Sequence, residues 1–271
     1  VIGHEATGVV VALGPGVDNV RLGDRVAVRP LRPGEPAAMD NGFTHIGKNL
    51  KFIGIDTPGA MQSSWTVPAY TLHHLPETLS LEHGALVEPL AVACHDVRRG
   101  RVAAGEHVVV LGGGPIGLLI AMVARRQGAR VLVSEVNAAR LDLARQLGLA
   151  TVHPGEEDLL AAVARFTGDA LADVVVEASG TAAGVQAMTQ LARVRGRIVM
   201  VAIHAQPQPV ELFQFFWREL EMIGVRVYEP EDFDEAIRLA AEGCLPLDRM
   251  ITRIAPLDDI EAVFREIDKN P

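Results

Sequence analysis

Three residues of this 271-residue chain stand out as candidate metal ligands. His4 and Glu5 are adjacent in Gly3-His4-Glu5-Ala6-Thr7-Gly8, and Glu88 lies in Ala85-Leu86-Val87-Glu88-Pro89-Leu90. A neutral imidazole nitrogen and carboxylate oxygens are the donors that zinc accepts. Adjacent residues on a regular strand point to opposite faces, so His4 and Glu5 can share one ion only from a turn. The flanking glycines allow one; a polar pair in a loop is the other reading. Glu88 sits in an otherwise apolar stretch. Pro89 disfavours helix at the residue before it and suits a first helical position, which predicts Glu88 at a poorly solvated helix entrance. A carboxylate there needs a metal, a cation or several donors. The competing reading is an acid favoured by the helix dipole.

The second chemical feature is Gly112-Gly113-Gly114-Pro115-Ile116-Gly117. It follows a predicted buried strand and opens a predicted helix, the setting in which G-x-G-x-x-G binds a dinucleotide. Gly112 permits the tight turn, Gly114 admits a pyrophosphate to the backbone, and Gly117 lets helix and strand pack closely. The amides at the helix start then face the phosphates. An acid at the end of the next strand completes the pattern, and Glu135 lies 23 residues after Gly112. Its carboxylate would accept ribose hydroxyls and repel a 2′-phosphate, so NAD is expected rather than NADP. Arg140 nearby keeps NADP as the minority reading.

The elements that must position these residues fall into two textures. Residues 1–90 read as an irregular β domain: an apolar run at Val9-Val10-Val11-Ala12, a strand at Arg25–Val28, and a run of prolines and glycines over 30–60 that predicts loops and short strands. From residue 107 strands and helices alternate. Strands are expected at His107–Leu111, Arg130–Ser134, Asp173–Glu177, Arg197–Val201 and Glu221–Val225. Helices are expected at Pro115–Gln127, Ala138–Leu147, 156–166 and 182–192. Such alternation implies a parallel sheet covered on both faces.

Composition narrows the function classes. A net charge of −9 argues against a nucleic-acid binder with a basic surface. No apolar run is long enough for a membrane helix, and two cysteines cannot supply a disulfide framework. A soluble, cytoplasmic protein is expected. The chain opens at Val1 inside an apolar run and stops at Asp268-Lys269-Asn270-Pro271 without a closing strand, so both ends look truncated. Cys94 reads as a small core residue. His73, His74, His83, His95, His107, His153 and His204 show no ligand spacing. The Phe213/Phe215/Phe216/Trp217 cluster reads as core or as a subunit contact.

Taken together, Gly3-His4-Glu5-Ala6-Thr7-Gly8 with Gly14 and Val17, then Ala85–Val92, then the glycine motif resemble the zinc-dependent medium-chain alcohol dehydrogenases. The second segment looks like their polyol (sorbitol-type) and threonine dehydrogenase branch. The resemblance covers essentially the whole chain in order. It implies an α/β fold: a GroES-like β catalytic domain plus a doubly wound parallel-sheet Rossmann coenzyme domain. Residues 1–91 completed by 246–271 would form the first and 92–245 the second, with the active site in the cleft between them.

The resemblance also implies site roles. His4 would bind the catalytic zinc, Glu5 would ligate or support it, and Glu88 would lie at the metal as ligand or as partner of a bound water. The first family ligand, an upstream cysteine, and the nearby proton relay are absent from this chain. The four positions of the family's structural zinc lobe correspond to Pro33, Pro36, Met39 and Gly47, so one catalytic zinc and no structural zinc are expected. Gly180, Val201 and Ala202, at strand ends, would approach the nicotinamide. The implied reaction is hydride transfer between a secondary alcohol, such as a polyol, cyclitol or sugar alcohol, and NAD, with a metal Lewis acid lowering the hydroxyl pKa. A homo-oligomer, dimer or tetramer, is expected. A zinc-free quinone or enoyl reductase and a non-catalytic cofactor binder are the alternatives.

Overall fold

The computed structural model describes residues 1–269; the expectation for Asn270-Pro271 lies outside them. The chain divides into two compact units, Val1–Glu88 with Ala236 onward, and Pro89–Glu235. The boundaries expected after residues 91 and 245 lie three and ten residues further along than this division.

The first unit is built on a three-stranded antiparallel sheet. Strand β1 (Ala6–Val9) pairs with β2 (Arg25–Val28), and β2 pairs in turn with β5 (Leu72–His74). Strands β3 (Leu31–Arg32) and β4 (Lys51–Phe52) form a separate two-stranded ladder. The apolar run expected to extend through Ala12 leaves the ladder at Val9, because its partner strand begins at Arg25. The breaker-rich stretch also holds two single-turn 3-10 helices, at 38–40 and 44–46, where only loops and strands were expected. Helix α1 (Leu81–Ala85) packs on β1. Gly84 makes this possible, since a Cβ there would meet Thr7 and Leu75 side chains at 2.8 Å.

Helix α2 (Val87–Arg99) follows after a single turn residue. It begins two residues before Pro89, earlier than expected. A proline is tolerated in a first turn because its missing N–H would have no intrahelical partner there.

The second unit is an all-parallel six-stranded sheet. Its strands are β6 (His107–Leu111), β7 (Arg130–Ser134), β8 (Ala150–Val152), β9 (Ala172–Glu177), β10 (Ala192–Met200) and β11 (Glu221–Gly224). Their order is β11-β10-β9-β6-β7-β8. The chain winds outward from β6 first one way and then the other, the doubly wound Rossmann pattern. Helices α3 (Pro115–Arg126), α4 (Ala138–Gln146), α5 (Leu159–Thr167), α6 (Ala182–Leu191) and α7 (Leu212–Arg218) connect the strands. The central strands are buried on both faces: Val108, Val109 and Val110 have no exposed surface. That is why β6 reads as an uninterrupted apolar run. Strand β10 starts five residues earlier than expected, with a register irregularity between Ala192 and Arg197. Helix α8 (Pro230–Ala241) leads back towards the first unit's final segment, which ends in α9 (Ile260–Lys269).

The aromatic cluster is not core. Phe213, Phe216 and Trp217 of α7 are mostly exposed, and only Phe215 packs against the buried cluster beneath the sheet. Among the described residues, no helix is long and apolar enough to cross a membrane.

Candidate active site

In the first unit, residues 1–5 run without regular structure into β1. They are held by backbone hydrogen bonds from Gly59, Ala60 and Met61 to Val1, Gly3 and Ile2. Two glycines make this close approach possible: a Cβ at Gly54 or at Gly59 would lie 2.2 Å from the Gly3 carbonyl oxygen. Gly3 itself has a φ of 101°, a conformation that L side chains rarely adopt. The chain therefore turns just before His4-Glu5, so the alternation of a regular strand does not separate the two side chains. His4 is braced edge-on by the Phe52 ring, 5.0 Å between centroids.

Glu88 reaches the same place through α1. The Ser80 side chain caps this helix by accepting from His83 N, and the Thr7 hydroxyl donates to the Leu81 carbonyl at 2.8 Å. With α1 pinned to β1, the chain turns once and Glu88 enters in the first turn of α2. It is buried. One ligand atom from each of His4, Glu5 and Glu88 lies within 4.8 Å of the others. Neither Cys94 nor Cys244 belongs to this group. Burial raises the Glu5 carboxyl pKa, partly offset by the charge of His4, although much of the residue's surface is open to solvent. A cleft of about 870 Å³ is lined by His4, Glu5, Thr7, Leu81 and Phe264. A second cavity, about 690 Å³ along Val9, Val26 and Trp65, is lined by apolar and small polar side chains and carries no ligating cluster.

The donor set suits a divalent cation. Two carboxylates cancel its charge, and an imidazole with carboxylate oxygens is chemistry zinc accepts. The stretch that the resemblance set against the family's structural zinc lobe is tied together by Asp40. The Asp40 carboxylate accepts from Lys48 N and Ala37 N, both at 2.8 Å, and these backbone donors lower its pKa.

In the second unit the glycine motif forms the turn that opens α3. Gly112 has a φ of 103°, and Gly114 is the N-cap of α3 with Pro115 as first helical residue. The first intrahelical bond comes from Leu118 N to the Gly114 carbonyl. The amides of Ile116 and Gly117 therefore precede the helical ladder and face outward as donors. Glu135, just after β7, is buried. One carboxylate oxygen accepts from Gly113 N at 2.8 Å, and the other accepts from Val136 N and Asn137 N. A carboxylate has about four acceptor positions, so capacity remains for a ribose hydroxyl. Arg140 stands 3.9 Å from it. Gly180, in the left-handed region at φ 66°, and Ala202 face each other: a Cβ at Gly180 would meet that of Ala202 at 3.7 Å. Val201 N and Ala202 N both donate to the Glu177 carbonyl.

Two groupings escaped sequence reasoning. His95, which shows no ligand spacing, bonds Asp232 through Nδ1 at 2.8 Å across 137 residues. Arg98 grips the same carboxylate with Nε and Nη2 and also reaches Glu229. Burial pushes the Asp232 carboxyl pKa up, but these hydrogen bonds hold it well below the usual range. His95, Glu229 and Asp232 place ligand atoms as close as the first cluster does. Here, however, the guanidinium already takes the cation's place. Buried Asp96 stands beside them, its Oδ2 without a hydrogen-bond partner. Its pKa is pushed well up by burial and then by the charge of Asp232. The second grouping joins Glu177 to His204.

Two family models match the chain: the alcohol dehydrogenase GroES-like domain over residues 1–77 and the zinc-binding dehydrogenase over residues 115–242. Over its full length the chain is 56% identical to a 2-dehydro-3-deoxy-L-galactonate 5-dehydrogenase of Pseudoalteromonas atlantica, and it spans 80% of that protein. The chain belongs to the zinc-type medium-chain alcohol dehydrogenases, in their polyol branch.

Other members are similar at lower identity. The L-galactonate-5-dehydrogenase of Escherichia coli is 33% identical, with 97% of this chain and 78% of that protein covered. A zinc-binding dehydrogenase of Sinorhizobium meliloti, crystallised with NADP, superposes with a TM-score of 0.92 at 34% identity over 97% of this chain and 78% of the other. The 2R,3R-butanediol dehydrogenase of Bacillus subtilis gives 0.91 at 32%, covering 99% and 77%. This alcohol dehydrogenase is thus an oxidoreductase acting on alcohol or polyol groups, with zinc and a nicotinamide coenzyme as its family's groups. Family membership favours the zinc-dependent reading over the zinc-free reductase.

Proposed function

We propose that this chain oxidises the C5 secondary hydroxyl of 2-dehydro-3-deoxy-L-galactonate or a closely related sugar acid. The products are the 5-ketone, NADH and a proton. The substrate assignment is supported by the full-length 56% identity to a dehydrogenase named for that compound. The observation that carries the reaction is the convergence of His4, Glu5 and Glu88, with His4 and Glu5 lining a cleft large enough for a six-carbon acid.

His4 would hold one zinc through an imidazole nitrogen, and Glu5 and Glu88 through carboxylate oxygens. When bound, the zinc supplies Lewis acidity to the substrate hydroxyl and the nicotinamide supplies a hydride acceptor. The chain's own residues bind and orient. The Gly112–Gly117 backbone, with Gly114, Pro115 and Ile116 at the helix start, receives the pyrophosphate. Glu135 accepts from the adenosine ribose, and Gly180, Val201 and Ala202 form the nicotinamide side.

NAD is the coenzyme we propose, supported by the buried Glu135 carboxylate, which opposes a 2′-phosphate. The exposed Phe213, Phe216 and Trp217 support a homo-oligomer, since apolar patches of this kind mark protein contacts. We place the enzyme in the cytoplasm, with one catalytic zinc and no structural zinc.

The test is coenzyme reduction followed at 2-dehydro-3-deoxy-L-galactonate, L-galactonate, sorbitol and 2,3-butanediol. The proposal expects the highest kcat/KM for the first. A preference for sorbitol or butanediol would overturn the substrate assignment and leave the family assignment standing.

A further inference from the structure

The strand order makes β6 and β9 the place where the sheet changes winding direction, and ligands bind outside the carboxyl ends of such a pair. The turn after β6 is the glycine loop. The turn after β9 is Ala178-Ser179-Gly180-Thr181. The two turns touch, because a Cβ at Gly112 would lie 2.9 Å from Ser179 backbone atoms.

Behind the second turn sits Glu177, the last residue of β9, with no exposed surface. Its Oε1 accepts from Ser179 N at 3.0 Å and from the Ser179 hydroxyl. Its Oε2 faces His204 Nε2 at 3.1 Å. Its carbonyl oxygen accepts from Val201 N and Ala202 N, both at 3.0 Å. One residue thus ties the turn after β9 to the turn after β10. The sequence leaves room for it at Gly184, where a Cβ would lie 2.6 Å from Oε1.

With Oε2 accepting, the ring tautomer that completes this pair carries its hydrogen on His204 Nε2. The other ring nitrogen, Nδ1, is buried and has no hydrogen-bond partner. His204 belongs neither to the metal cluster nor to the apolar core. Its hydrogen bond goes to Glu177.

We propose that His204 is a positioning residue for the nicotinamide end of the coenzyme, acting by latching Glu177 so that Gly180 and Ala202 are held against each other. The inference rests on the coenzyme reading above. A wall that is already ordered spares the entropy that a mobile pair of turns would lose on binding. The adenosine and pyrophosphate contacts, at Glu135 and the glycine loop, do not pass through His204.

The full chain and its His204→Ala and His204→Gln variants are titrated with NADH by fluorescence and with ADP-ribose, which lacks the nicotinamide ring, by calorimetry. His204→Ala should raise the Kd for NADH about tenfold, the scale of a hydrogen bond to a charged group. The Kd for ADP-ribose should stay within about twofold. His204→Gln, which returns an N–H near the Nε2 position, should recover most of the loss. Should the alanine variant not fold, His204→Leu, bulky but without a donor, replaces it. Equal weakening of both probes, or no weakening of NADH, would overturn the inference while leaving the coenzyme site intact. An unaltered chain that binds neither probe would overturn the coenzyme reading, and the inference with it.

Discussion

A Cβ atom on Gly117 would lie 2.0 Å from the carbonyl oxygen of Gly112. The helix proposed to receive the pyrophosphate is packed against the turn that precedes it, and nothing larger than hydrogen fits between them. Gly117→Ala must push α3 away from β6. We expect a loss of about 1–3 kcal/mol by denaturant titration, the usual cost of overpacking. NADH affinity should fall at least about tenfold. Unchanged affinity would show that the pyrophosphate binds elsewhere.

The buried Asp232 carboxylate is ionised because Arg98, His95 and Glu229 N outweigh its burial. Asp232→Asn removes the carboxylate that Arg98 holds through both Nε and Nη2, leaves the Glu229 contact in place, and should cost about 1–3 kcal/mol at pH 7. The folded pKa lies below the unfolded one. The stabilisation is therefore complete above the unfolded value of about 3.9 and is lost as pH falls through the folded value. Urea midpoints of the two proteins should converge in acid; a gap that is constant with pH would contradict this.

Asp96 has the opposite sign. Its pKa is raised, so the folded state holds its proton more tightly than the unfolded state does. The cost of Asp96 appears as pH rises above about 3.9 and grows until the folded pKa is passed. Asp96→Asn should therefore raise the melting temperature at pH 7 and leave it unchanged near pH 3. Because Asp232 contributes to the shift, the gain should shrink in an Asp232→Asn background, a coupling that a double-mutant cycle reads directly.

These contrasts show what is legible in a sequence of this kind. Strands β6 and β7 match their expected bounds residue for residue, because a strand buried on both faces must be a continuous apolar run bounded by turns. Strand β8 went unseen, since three residues at a sheet edge carry no pattern. Glu88 stood out as one acid in an apolar stretch, while His4-Glu5 gained meaning only beside it and through family resemblance. His95 and Asp232 are 137 residues apart, and no local spacing announces their meeting. Glu177 read simply as the end of a strand, because its importance lies in what the following turns place around it.

On the proposed coenzyme reading, the choice between NAD and NADP rests on two side chains of opposite charge, Glu135 and Arg140. Arg140 stands 3.9 Å from the Glu135 carboxylate. Glu135→Ala should weaken NAD binding about tenfold, since it removes a charged acceptor and frees Gly113 N. Arg140→Ala should leave NAD binding within about threefold and weaken NADP further. Titrating each variant with both coenzymes checks this, and tighter NADP than NAD binding by the unaltered chain would reverse the assignment.

The central claim is that His4, Glu5 and Glu88 hold one zinc ion. Metal content of the purified chain, measured by plasma mass spectrometry after zinc loading and exhaustive dialysis, tests it most directly. The account predicts about one zinc per chain, falling close to zero in His4→Ala and strongly reduced in Glu88→Gln, with both variants folded. Zinc retained in full by both variants, or no zinc in the unaltered chain, would contradict it.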